Sequence, residues 1–121
     1  MNRGEVVLVD WPFSDLTGSK LRPAVVVQAD FLNGLIDDTV YVKVQGRAYG
    51  IPDTEVELDP ARETASGLLK VSYASCRDVL TRDQALVHHN LGFLSDLAMR
   101  EIEQCLKSSV GNPVTPYRPA R

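Results

Sequence analysis

Two aliphatic, β-branched runs, Val6-Val7-Leu8-Val9 and Ala24-Val25-Val26-Val27, stand on either side of a polar loop. They constrain the fold of this chain more than anything else in it. Neither run alternates with polar residues, so each reads as a strand covered on both faces. The first is expected over Glu5–Asp10. Trp11-Pro12 closes it, because proline cannot donate to a ladder and holds the residue before it extended. The second is expected over Ala24–Gln28. The loop between them, Ser14 to Lys20, has Gly18 as its flexible point.

Further strands follow. Thr39–Val44 alternates, which predicts Val40, Val42 and Val44 on one face and Thr39, Tyr41 and Lys43 on the other. Thr54–Leu58 repeats the pattern with Val56 and Leu58 inward, and Asp59-Pro60 turns the chain after it. Leu68–Cys76 is a strand candidate with Leu69, Val71 and Tyr73 on one side, and Asp78–Thr81 continues or restarts it. Asp30–Leu35 is expected to make one helical turn capped by Asp30, with Gly34 near its end. A single long helix is expected after Ser95, an N-cap residue followed by Asp96, with Leu94 stapled onto Met99. Leu97, Ile102, Cys105, Leu106 and Val110 would form its apolar stripe, and Gly111 and Pro113 would stop it. Many strands and one helix fit a small β-barrel.

The chain has 121 residues, of which 44% are hydrophobic, enough for one core and too few for two. One domain over 1–111 and a proline-bearing tail over 112–121 are the expected organisation. Net charge is −3, which argues against a protein that coats nucleic acid through bulk positive charge. The charge is unevenly spread. Residues 1–60 carry 5 Lys/Arg against 10 Asp/Glu and residues 61–121 carry 8 against 6, so a local cationic groove can be assembled by folding. Cys76 and Cys105 have neither metal-ligand spacing nor a disulfide-rich setting, and are expected to be small buried residues. With no leader and no run of about 18 apolar residues, a soluble, cytoplasmic protein without a membrane partner is expected.

The run Arg3-Gly4-Glu5-Val6-Val7-Leu8-Val9, then Trp11-Pro12-Phe13, the polar loop, and Leu21-Arg22-Pro23 before the second strand resembles the opening of the MazF/PemK toxins. Gly67-Leu68-Leu69-Lys70 and Leu91-Gly92-Phe93-Leu94-Ser95 resemble that family's second half. The resemblance implies an SH3-like barrel of the CcdB/MazF-like toxin fold, with a C-terminal helix, paired as a homodimer. It also implies a metal-independent, sequence-selective endoribonuclease that cuts single-stranded mRNA without a cofactor and is restrained by a cognate antitoxin protein. The alternative is a non-catalytic barrel of the same fold that inhibits a protein target such as a gyrase.

RNA can be cut by its own 2′-OH. The protein then has to help remove that proton, stabilise charge on the phosphoryl oxygens and help protonate the leaving 5′-oxygen. Arg22 suits the second task, since a guanidinium can hold two phosphate oxygens at once. The resemblance places it at the family's catalytic arginine; the local alternative is a surface ion pair, for example with Asp15. In many relatives a hydroxyl residue follows the third strand, but that position falls on Gly46 here. Gln45 and Arg47 beside it offer hydrogen bonds and charge. Some relatives carry an arginine and an acid two apart on a later strand, whereas Arg77 and Asp78 are adjacent. On a regular strand these two point to opposite faces, as a rim ion pair would, and they share a site only if the strand bulges. The candidate catalytic residues are therefore Arg22, Gln45 and Asp78. The candidate RNA contacts are Ser14, Thr17, Ser19, Lys20, Arg47 and Arg77, those of the loop being equally suited to an ordinary hairpin. His88 and His89 read as structural or surface residues, and Trp11 and Phe13 as core or dimer contacts or as stacking surfaces for a base.

Overall fold

A computed structural model describes residues 1–111; the expected tail, 112–121, lies outside them. Six strands form one antiparallel sheet: β1 (Glu5–Pro12), β2 (Ser19–Val26), β3 (Asp38–Gln45), β4 (Glu55–Leu58), β5 (Ser72–Asp83) and β6 (His89–Phe93). Their spatial order is β4-β5-β3-β2-β1-β6. A short helical turn, α1 (Asp30–Asn33), follows β2, and the helix α2 (Asp96–Ser109) ends the described chain. The sheet curls into a half-barrel rather than closing strand to strand, with β4 and β6 as its edges.

Both faces of the sheet carry a core, as the two unbroken apolar runs predict. Val6, Val25 and Val42 stand opposite one another across β1, β2 and β3, and with Val44, Val56, Leu58 and Ala74 they form the face on which α2 packs. Val7, Val9, Trp11, Ala24, Val26 and Tyr41 form the other face, over which Leu80, Val87 and Met1 fold. This second core is why the expected alternation in β3 fails. Thr39 and Tyr41 are fully buried while Val40 is only half-buried, because neither face of that strand meets solvent. Thr39 donates its hydroxyl to Asn33 Oδ1 at 2.6 Å, which satisfies it inside.

Several boundaries differ from expectation. β2 begins at Ser19, because the hairpin with β1 draws the end of the polar loop into the ladder down to the pair Pro12–Ser19. β5 begins at Ser72, and Leu69 is 99% exposed rather than inward. Asp30 does not cap α1; its Oδ1 accepts from the Arg3 backbone N–H at 2.6 Å instead.

The loop after β4 meets the β6 edge and closes the half-barrel on that side. The Phe93 N–H donates to Ala65 O at 2.9 Å, and Glu63 accepts from Ser95 N at 2.7 Å and from Ser95 Oγ at 2.8 Å. The backbones there come so close that a Cβ on Gly67 would lie 2.1 Å from Leu91 O, and one on Gly92 would lie 2.0 Å from Ala65 O.

Ser95 is the cap of α2, accepting from the Ala98 N–H at 3.2 Å. The buried stripe is Ala98, Met99 and Ile102, with Cys105 and Leu106 beside them, and Leu94 packs in the same cluster as Met99. Leu97 and Val110 are on the outside, at 65% and 75% exposed. Ser95→Ala is expected to cost about 1–2 kcal/mol, through the lost cap and the lost Glu63 contact. Ser95→Asp should not recover it, since a second carboxylate would face Glu63; urea unfolding of the three proteins checks both. Cys76 is fully buried, and its hydrogen bond with Cys105, followed by burial, pushes its thiol upward, so it is no nucleophile.

Candidate functional site

The second core face runs out near the far end of β2, and the candidate residues gather there. Arg22 stands across from Val9 and shares the face of Ala24 and Val26, two and four residues on. The β2–β3 ladder stops at the pair Ala24–Lys43, and Pro23 has no N–H with which to extend it. Continued by two residues, the same register sets Arg22 across from Gln45, where the strands are no longer bonded.

Two hollows open at this splay. One, of about 500 Å³, is lined by Arg22, Gln45, Gly46, Arg47, Tyr49 and Lys70, with no carboxylate on its walls among the described residues. The other, of about 430 Å³, is lined by Arg22 with Ser14, Lys43, Arg77 and Asp78 over a floor that includes Trp11. Arg22 and Tyr49 belong to both walls. Arg22 is half-buried, and among the described residues no acid pairs with its guanidinium. Asp15 is engaged elsewhere: the Thr17 backbone N–H at 3.0 Å and then the Thr17 hydroxyl at 2.8 Å hold its carboxyl below the usual carboxylate range.

Arg77 and Asp78 do enter one hollow, and a bulge is the reason. Between the pairs Val42–Val79 and Lys43–Ser75, β3 advances one residue while β5 advances four, so Cys76, Arg77 and Asp78 are surplus to the ladder. Asp78 Oδ2 accepts from Ser75 Oγ at 2.7 Å and lies 3.6 Å from Lys43 Nζ and 3.7 Å from Arg77 Nη2. The Lys43 side chain is only 16% exposed, so Asp78→Ala removes its nearest carboxylate. A loss of about 1–3 kcal/mol is expected in urea unfolding, with a smaller loss in Asp78→Asn.

Of the loop candidates, only Ser14 lines a hollow. Thr17 spends its hydroxyl on Asp15, and Ser19 and Lys20 lie exposed at the start of β2, paired with Pro12 and Trp11. Gln45 and Arg47 are in place, and Gln45 Nε2 is buried with no acceptor among the described residues. His88 bonds Asp10 at 3.0 Å on the surface, apart from the hollows.

Sequence reasoning missed Lys70, Tyr49 and Lys43. Lys70 Nζ lies 3.5 Å from where a Gly46 Cβ would be, so the glycine leaves the ammonium room at the wall that Arg22 shares. Tyr49 stands over Arg77, whose Cζ is 4.1 Å from the ring centroid. The one signal available was Gly46 itself, a small residue between Gln45 and Arg47.

No helix among the described residues is long and apolar enough to cross a membrane. Residues 2–110 match the family model of the PemK-like, MazF-like toxin of type II toxin–antitoxin systems. A Staphylococcus saprophyticus protein named endoribonuclease MazF is 30% identical over 116 residues, covering 92% of each chain. Among solved structures, a mycobacterial endoribonuclease in complex with its cognate antitoxin superposes with a TM-score of 0.77 at 22% identity, over 95% of this chain and 99% of that one. The Deinococcus radiodurans MazE–MazF structure gives 0.70 at 22% identity, over 92% and 96%. The half-barrel, its flanking helix and a match that runs from the second residue to the end of α2 lead to one assignment: this chain belongs to the MazF/PemK toxins of type II toxin–antitoxin systems.

Proposed function

We propose that this protein is a sequence-selective endoribonuclease that cuts single-stranded mRNA without a metal, acting in the cytoplasm as a homodimer and held in check by a cognate antitoxin protein. The observation that carries the reading is Arg22: a half-buried guanidinium, unpaired among the described residues, on the wall common to two hollows, with Arg47 and Lys70 on one side and Lys43 and Arg77 on the other. Such a group binds the equatorial oxygens of a phosphate and gains strength as charge grows on them in the transition state.

The remaining roles follow from position. Asp78 is the carboxylate, among the described residues, on the walls that Arg22 shares, and its role is to take the 2′-OH proton as that oxygen attacks phosphorus. The P–O5′ bond breaks on the opposite side of the phosphorus, toward the hollow with Lys70, whose ammonium stabilises the charge on the departing oxygen while a solvent water gives that oxygen its proton. Gln45 Nε2, a buried donor with no partner among the described residues, gains an acceptor when a phosphate or sugar oxygen enters. The products are a 2′,3′-cyclic phosphate and a 5′-OH. No relative described above speaks for the gyrase-inhibiting alternative, and the cationic hollows favour a polyanion.

The test is incubation of the purified protein with a long RNA in EDTA, followed by end analysis of the fragments. Discrete cuts bearing 2′,3′-cyclic phosphate and 5′-OH ends are expected. Intact RNA, or cleavage that appears only when a divalent ion is restored, would sink the proposal.

A further inference from the structure

Among the described residues Tyr49 is the one aromatic side chain on the walls of both hollows, and it is 60% exposed. An exposed tyrosine in a loop is ordinarily free to swing, but this one is fixed three ways. The Arg77 guanidinium lies under one face of the ring at 4.1 Å, an attraction between a cation and the negative face of the π-system. The Glu55 carboxylate accepts from the backbone N–H groups of Tyr49 and Gly50, each at 2.9 Å, so one side chain pins two successive amides. The Thr54 hydroxyl donates to Ile51 O at 2.9 Å and ties the other end of the same loop.

Both hollows beside this ring carry cations. The hollow with Arg47 and Lys70 is lined by three, counting Arg22, and by no acid among the described residues, which is the chemistry of a phosphate track. The hollow with Asp78 also holds three, Arg22, Lys43 and Arg77, against one carboxylate, and Trp11, Pro12, Phe13 and Val79 add aromatic and apolar surface there.

From this we infer that Tyr49 is a stacking platform for an RNA base beside the Arg22-bound phosphate, the base lying on the ring face that Arg77 leaves free. The inference rests on the nuclease reading for the identity of the strand. It adds a specific base-binding subsite built from the β3–β4 loop. Preorganisation by Glu55 and Arg77 lowers the ordering cost of binding, and stacking tolerates any base, so Tyr49 contributes affinity and orientation while polar neighbours discriminate.

The probe is a short oligodeoxyribonucleotide pool with degenerate flanks around a central 2-aminopurine. Lacking a 2′-OH it cannot be cut, and its fluorescence falls when the base stacks. Wild-type protein is expected to bind and quench it, and Tyr49→Phe to do the same. Tyr49→Leu should lose the quenching and bind about 5- to 150-fold more weakly, the range of one base–aromatic stack. Its thermal midpoint, measured alongside, should match the wild type, and Arg77→Gln should weaken quenching less. If Tyr49→Leu binds and quenches as the wild type does, the subsite is overturned. A wild type that cleaves RNA but never quenches the probe overturns the subsite and leaves the nuclease standing. One that quenches but does not cleave supports the subsite and removes the nuclease, and one that does neither removes both.

Discussion

Arg22→Ala is expected to lower RNA cleavage by about 100- to 1000-fold, the cost of removing one preorganised donor to a developing oxyanion. The fold should survive, because the guanidinium has no ion-pair partner among the described residues whose charge would be left stranded. Arg22→Lys keeps the charge and loses the planar two-pronged grip, so it should recover only part of the rate. Cleavage of one labelled RNA by the three proteins, at matched folded concentration, decides the matter. If the alanine variant cut within about 3-fold of the wild type, the phosphoryl contact would belong to some other group.

The largest expected loss of stability comes from a residue remote from any chemistry. Gly67→Ala sets a methyl group 2.1 Å from Leu91 O and 2.7 Å from Leu91 C, at a backbone φ of +73°. Both neighbouring atoms are main chain, so no side chain can swing clear. Left-handed strain and overpacking together amount to about 3–5 kcal/mol, a large share of the usual stability of a domain this size. Gly50→Ala is the control. Its φ is +78° but nothing lies within 4 Å, so it should show the strain alone, about 1–2 kcal/mol. Urea midpoints that fell equally in the two variants would mean that the loop after β4 yields to the methyl group and does not seal the barrel.

How much of this could be read beforehand depends on how local the cause was. β1 and α2 were legible because their signals are local: an unbroken apolar run, and Ser95 with Asp96 at a helix start. Thr39 and Tyr41 were misplaced because alternation presumes one wet face, and here both faces are covered. Leu97 looked like part of the stripe, yet it occupies the second position of α2 and points away from the sheet. Arg22 was singled out by the resemblance its loop and Arg22-Pro23 carry, the local sequence leaving a surface ion pair equally open, and it lines both hollows. Of the company it keeps, Gln45, Arg47, Arg77 and Asp78 were candidates from the sequence, whereas Lys70, Tyr49 and Lys43 were not. Lys70 and Tyr49 reach it from loops 48 and 27 residues further along, and Asp78 reaches it through a slip of register between β3 and β5 that no local pattern encodes.

That slip has a consequence for how one strand divides its labour. Arg77 and Asp78 sit on a stretch excused from pairing with β3, so exchanging them leaves the register of the valines that knit the two cores undisturbed. The charge that lines the hollow and the pairing that holds the sheet are thereby recorded on different letters of the same strand. A change at either letter is felt locally, by Lys43, Ser75 and Tyr49, and is not passed along the ladder.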